Sequence, residues 1–378
     1  MKSEKCQVQS AGQPLVLQPC RLIHFALGTS HFSLCTLLRA IPVLLLALIA
    51  GCQPPTTPPA PISPPTTTST TDRLAPTATL TDVTLALNWF PEAEHGGFYA
   101  ALVHGYFAEE GLNVTIRGGG PKVPVIADVA SGTVAFGVDN ADKLLLGRVQ
   151  QADVVAVMAP IQDSPRCIMV HKSEGITSLK ELAGRKPFTL AMNTGQPFAQ
   201  FLMKRVNLGD AQITSYPGNV AQFLLEPKYG QQAYNFSEPF VAEQQGGDPV
   251  CLMLSELGFN TYTSLLITRG ELIEQQPELV AKMTRASVRG WKKYLAEPNE
   301  TNKHIHEQNT QMGLDVLAFG VGVLKPLCLP KDFAEERLGN MTAERWQTLA
   351  SQMTEIGSLP PDSVKPAAAF TLKFVTAE

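Results

Sequence analysis

Nowhere among the 378 residues do two cysteines stand three apart, and no His-Glu-x-x-His run occurs, so spacing offers no zinc or iron framework. His304 and His306 are two apart and would point to different faces of a helix. No Ser-His-Asp arrangement that would carry nucleophilic catalysis is legible either. Basic runs are missing as well. The 30 Lys and Arg stand against 34 Asp and Glu, for a formal net charge of −4, and basic residues do not alternate with aromatic ones, which argues against a nucleic-acid partner. The apolar run from Ala40 to Gly51 stops well short of the roughly 20 residues that a bilayer-spanning helix needs.

What that run does resemble is a bacterial lipoprotein signal. It follows Arg39 and ends in Ile49-Ala50-Gly51-Cys52, small residues ahead of a cysteine that suit a peptidase site, so residues 1–52 are expected to be a leader and Cys52 the lipidated N-terminus. An uncleaved anchor or a buried helix is the alternative. Residues 53–80 are rich in Pro and Thr, with Pro54, Pro55, Pro58, Pro59, Pro61, Pro64 and Pro65 in the first half. Such a stretch lacks core-forming residues and reads as an extended tether. Of seven cysteines, Cys6, Cys20 and Cys35 fall in the leader, leaving Cys167, Cys251 and Cys328 for the folded body. Buried free thiols are the plain reading. A Cys167–Cys251 disulfide is compatible with an oxidising compartment, although nothing in the sequence requires it.

The body has enough apolar residues, 44% of the chain, for two sizeable cores. Its most informative stretch is Leu85 to Val114. Val83, Leu85 and Leu87 alternate as in a strand, Asn88-Trp89-Phe90-Pro91 breaks it, and Phe98, Leu102 and Phe107 share a helical face, so a helix begins near His95. Gly96 and Gly97 in its first turn carry no side chains, and a ligand is expected to approach the backbone N–H groups there while Trp89 offers a flat face. Farther on, strands are expected at 112–117, 134–138, 154–158, 167–171, 188–191, 213–215, 252–254 and 264–268. Helices are expected at 123–130, from Asp139-Asn140 through Val149, after a capping box at Thr177 to Glu181, from Asn193 through Val206, at 220–225, 237–244, 272–275 and 279–295, and at 342–356. Strands alternating with helices imply parallel sheet units.

The opening segment resembles the start of the thiamine-pyrimidine (NMT1/THI5-like) family, which groups binding proteins for thiamine pyrimidine precursors with pyrimidine synthases on the same fold. Matching residues are Leu87-Asn88-Trp89, Pro91, His95, Gly105-Tyr106-Phe107 and Glu110-Gly111-Leu112. Thinner agreement runs from about Val83 to Leu359, at Ser131-Gly132, Leu179 to Gly184, Glu238 and Pro277 to Val280. The resemblance implies an α/β architecture, the type II periplasmic-binding-protein fold. Two lobes would be joined by two crossing segments, with lobe 1 at 81–169, lobe 2 at 170–260 and a return to lobe 1 over 261–378. Ligand would sit between the lobes, where strand C-termini and helix N-termini converge.

Candidate ligand-binding residues follow from four loops. Asn88, Trp89 and His95 come from the opening motif, Trp89 either stacking on the ligand or packing in the core, His95 either bonding ligand or capping the helix. Asp139 and Asn140 stand at a helix start and suit an N-cap as well as a ligand. Asn193, Thr194 and Gly195 form the turn where the family holds a polar ligand group on backbone N–H donors. Glu238 lies where the family pairs an acid with a ring nitrogen or amino group, a task a two-oxygen acceptor suits; complementing a helix dipole is the alternative. Tyr262 is expected to close a ring cage.

The family's synthases need a Lys and a His four positions apart after the third strand and a cysteine-rich iron-binding stretch. Here those positions hold Asp139 and Lys143, and 258–263 has no cysteine. The expectation is therefore a non-enzymatic, extracytoplasmic, lipid-anchored, monomeric receptor without metal or cofactor. It would carry hydroxymethyl- or formylaminomethyl-pyrimidine to a membrane ABC permease. Nitrate, sulfonate or taurine is the alternative cargo, disfavoured because Glu238 would repel an anion.

Overall fold

A computed structural model describes residues 79–375 of the chain, so the expected leader, Cys52 and nearly all of the tether lie outside the described residues. The chain begins with β1 (Thr81–Ala86), a 3-10 turn at Ala93–His95 that runs straight into α1 (Gly96–Val103), the single-turn α2 (Tyr106–Glu109), β2 (Leu112–Arg117), α3 (Val125–Ala130), β3 (Phe136–Asp139), α4 (Ala141–Val149) and β4 (Val155–Met158). It then passes to β5 (Arg166–His171), β6 (Thr189–Ala191), α5 (Pro197–Arg205), β7 (Gln212–Thr214), α6 (Ala221–Leu225), β8 (Tyr229–Tyr234), α7 (Glu238–Gln244) and β9 (Pro249–Met253). After β10 (Leu265–Thr268) the chain is helical: α8 (Gly270–Gln275), α9 (Pro277–Ala296), α10 (Asn299–Gln308), α11 (Leu314–Cys328) and α12 (Ala343–Glu355).

The strands form two five-stranded sheets, ordered β2-β1-β3-β10-β4 and β7-β6-β8-β5-β9. Each sheet has three parallel strands, whose connections need a helical crossover, followed by one antiparallel strand and an edge strand paired to it. The plan is the same in both. The edge strand of one sheet, β4 or β9, leads into a crossing segment, and the crossing segment enters the other sheet as its antiparallel strand, β5 or β10. Residues 159–165 and 254–264 are the two crossings, and the architecture is the expected type II periplasmic-binding-protein fold.

The change of sheet comes earlier than residue 169. Arg166–His171 pairs with β8 and β9 along its length, so this strand belongs wholly to lobe 2. An apolar run announces a buried strand without saying which sheet it joins. The central strand β8 was not among those expected, since Tyr-Gly-Gln-Gln-Ala-Tyr shows no apolar alternation; Gln231 and Gln232 are nonetheless buried.

In lobe 1 the 20-residue α9 packs on α1 through Trp291 and Tyr294 and buries Val280, Met283 and Ala286 in the same core. The packing depends on small residues at the contact. A Cβ on Gly96 would lie 2.0 Å from the Tyr294 ring, one on Gly97 2.0 Å from Trp291, and one on Gly290 2.2 Å from the Gly97 carbonyl. The Gly96-Gly97 pair therefore admits a neighbouring helix, which corrects the expectation that it opens the backbone to a ligand. The C-terminal helices also reach lobe 2. Phe319 of α11 stacks on Phe240 of α7 with centroids 4.6 Å apart, and Arg205 of α5 pairs with Glu355 of α12 at 2.7 Å.

Candidate ligand site between the lobes

Parallel strands deliver their C-terminal ends, and the helix starts that follow them, to one edge of each sheet, and in this fold the two edges face each other. Asn140, between β3 and α4, is where three segments meet. Its Nδ2 donates to the Tyr234 hydroxyl at the end of β8 (3.1 Å), and its Oδ1 accepts from the Ser264 backbone N–H at the end of the second crossing (3.1 Å). It makes no side-chain bond to its own helix. The capping role read from the sequence is thus replaced by a bridge from lobe 1 to lobe 2.

Arg166, the first residue of β5, donates from Nη2 to the same Tyr234 hydroxyl (2.9 Å). Its guanidinium lies 4.2 Å from the centre of the Tyr234 ring and 4.5 Å from that of Phe198 on α5, held by two aromatic faces. Glu94 and Glu238 feel the charge of this cation, and Glu92 and Asp139 in turn act on those carboxyls. Glu94 accepts from the Ser264 hydroxyl at 3.2 Å. Asp139 accepts from the Asn140 N–H at 2.8 Å. Glu238, the first residue of α7, accepts from the Tyr234 N–H at 3.0 Å and the Tyr216 hydroxyl at 2.8 Å. Glu92 is 6% exposed, and among the described residues no donor reaches its side chain.

Burial, and after it the charges of Glu94 and Glu238, hold the Glu92 carboxyl well above the usual range. Burial likewise pushes Glu94 up to about 7 against the pull of its Ser264 bond and Arg166, and Asp139 up to about 7 against its Asn140 bond. Glu238 is also raised by burial, with its bonds from Tyr234 and Tyr216 opposing. The site thus has a surplus of acceptors, and burial favours the protonated form of each carboxyl against the few donors that reach it.

His95 is fully buried, and burial lowers it to about 3, so the ring is neutral. Nε2 then donates to Asn88 Oδ1 at 3.0 Å, and the buried Nδ1 has no hydrogen-bond partner. Trp89 is half-buried and meets Phe90 edge-on at 5.4 Å, while its carbonyl accepts from Gly119 N–H. Asn193, Thr194 and Gly195 form an exposed turn before α5, with Asn193 N–H donating to Gln232 Oε1 at 2.7 Å.

Tyr262 is not brought to the cluster. Its hydroxyl accepts from Thr342 N–H at 3.0 Å, its ring lies under the Arg345 guanidinium at 4.0 Å, and it packs on Trp346 of α12. Its neighbours Thr261 and Thr263 face the cleft instead. With Asn140, Arg166, Phe198 and Tyr234 they line a cavity of about 10 Å³, room for a single water, so the lobes are nearly closed on each other. The sequence reading missed Arg166, Glu92, Glu94, Tyr234 and Ser264. Glu92 and Glu94 stand within the opening motif beside His95, and their signal was two acids flanking an alanine just ahead of an apolar helix.

Two α/β lobes closing over a polar cluster make up a fold of the periplasmic-binding-protein type. Residues 92–301 match the family model described as NMT1/THI5 like, and the chain belongs to that family. The chain is similar to the riboflavin-binding protein RibY of Chloroflexus aurantiacus, with 29% identity over 267 residues, 68% of this chain and 74% of that one. It is also similar to the formylaminopyrimidine-binding protein of Halalkalibacterium halodurans, with 24% identity over 58% of this chain and 68% of that one. Other relatives, at 24 and 25% identity, are named 4-amino-5-hydroxymethyl-2-methylpyrimidine phosphate synthases. Among solved structures, the periplasmic aliphatic sulphonate binding protein SsuA of Escherichia coli superposes with a TM-score of 0.58 at 12% identity, over 76% of this chain and 91% of that one. That likeness speaks for the fold alone. Among the described residues no helix is long and apolar enough to cross a membrane, and no cluster of metal-ligating side chains occurs.

Proposed function

We propose that this chain is the extracytoplasmic receptor of an ABC importer, held to the membrane by a lipid on Cys52. It takes up a thiamine pyrimidine precursor, hydroxymethyl- or formylaminomethyl-pyrimidine, and hands it unaltered to the permease. The observation that carries the ligand reading is the acid-rich make-up of the site: Glu92, Glu94, Asp139 and Glu238, with Asp142 on the cavity wall, against Arg166 and the charge of Lys143 on Asp139. An aminopyrimidine edge offers N–H donors and a basic ring nitrogen, which such carboxyls accept and protonate. A sulfonate or nitrate brings no N–H donor to these carboxyls and would oppose their ionisation, so the anion reading is disfavoured. The relative named for formylaminopyrimidine supports the same cargo.

A flavin is the second reading, favoured by the RibY relative. Its broad ring would use Trp89 and Phe90 rather than the acids. The synthase reading has no carriers, because Asp139 and Lys143 stand where the Lys and His are needed. Thermal-shift titration of the mature chain with hydroxymethylpyrimidine, riboflavin, taurine and nitrate separates these readings, since a ligand bound by the folded state raises Tm by mass action. A shift with riboflavin or taurine and none with the pyrimidines overturns the cargo assigned here. For the anchor, Cys52→Ser is expected to release the protein from membranes, and retention would refute the lipid.

A further inference from the structure

Cys167 and Cys251 stand on adjacent antiparallel strands, β5 and β9, in the register Cys167↔Met253 and Met169↔Cys251. All four side chains therefore fall on one face of the sheet, and the two cysteine sulfurs approach to 2.6 Å. Met169 is buried on the same apolar patch, and Met253 packs against it. We propose that these two cysteines are joined as a disulfide in the working protein, tying the strand that enters lobe 2 to the strand that leaves it.

The bond would span 84 positions of sequence. Its place matters more than its length. Cys167 directly follows Arg166, the cation of the cleft, and β9 leads into the second crossing, so the link fixes the lobe 2 footing of both crossing segments. Cys251 is half-buried on the edge strand while Cys167 is fully buried, so an oxidant reaches Cys251 first. Burial, and the neighbouring Cys251 thiol after it, keep Cys167 protonated, in line with that order. The oxidant is a small-molecule or protein disulfide. The Cys251 thiolate attacks one of its sulfurs and expels a thiolate, then Cys167 loses its proton, attacks Cys251 and expels the second. Two protein thiols become one disulfide, and the oxidant takes the two electrons as two thiols.

The link does not depend on the cargo, and its formation is read on the purified protein. The reduced protein is incubated with glutathione disulfide, unfolded, alkylated and digested for mass spectrometry. Peptides bearing Cys167 and Cys251 should be found joined to each other, with Cys328 alkylated, and oxidation should raise Tm by several degrees, on the order expected for a long closed loop. Cys251→Ala should keep the reduced protein's Tm and lose the oxidation-dependent rise. Complete alkylation of both cysteines after oxidation, or a link made through Cys328, overturns the proposal, as does a rise that persists in Cys251→Ala.

Discussion

Replacing Glu94 by Gln tests the central claim about the cleft, that burial of its acids outweighs the donors that reach them. Glu94 is 1% exposed, and burial carries its carboxyl from 4.5 to about 7 in the folded chain. An acid raised by folding binds its proton more tightly in the native state. It therefore costs nothing below the unfolded pKa of 4.5, and destabilises progressively as pH rises to about 7, after which the cost is constant. That shift corresponds to about 3 kcal/mol at full ionisation. Gln keeps an oxygen to accept from Ser264 and carries no charge, so Glu94→Gln should match the wild type near pH 4.5 and exceed it by roughly this amount at pH 8. Urea unfolding at both pH values gives the comparison. A gap that does not widen between them, or a Gln variant less stable at pH 8, would refute the reasoning. The same variant should bind the pyrimidine more weakly, because it removes an acceptor while relieving the free protein.

Asn140→Ala strips the Tyr234 hydroxyl of a donor and the Ser264 N–H of its acceptor, and should cost about 1–3 kcal/mol while loosening closure. Small-angle scattering should record a larger radius of gyration for the variant, and an unchanged one would count against the bridge. Tyr262→Phe removes only the acceptor for Thr342 N–H, so stability should fall by about 1 kcal/mol with ligand affinity unmoved; calorimetric titration showing weaker binding would return Tyr262 to the site. Gly97→Ala drives a methyl into Trp291 and should destabilise by at least about 2 kcal/mol through overpacking, read as a lowered urea midpoint.

The alternation of strand and helix was legible from apolar periodicity, and the resemblance of the opening motif supplied the two-lobed plan. The limits were physical. β8 escaped notice because its buried residues include Gln231 and Gln232, so no hydrophobic alternation marks it. Gly96 and Gly97 look alike from sequence whether the space above them takes a ligand or an indole, and only the tertiary packing of α9 decides. Tyr262 lies between two cleft residues, but successive side chains in an extended segment point to opposite sides, which sends its ring to α12 and gives the cleft to Thr261 and Thr263. Glu238, Asp139 and Asn140 were legible as candidates because helix starts are visible in sequence. Arg166 was not, because one basic residue ahead of a strand carries no periodic signal, and its value comes from Phe198 and Tyr234, 32 and 68 positions away.

The acids are divided unevenly, with Glu92, Glu94 and Asp139 on one lobe and Glu238 with the guanidinium on the other. If the lobes part, water reaches these carboxyls and the protons that burial keeps on them would be released, so opening would be linked to pH, with acid surroundings favouring the shut form and alkaline ones the open form.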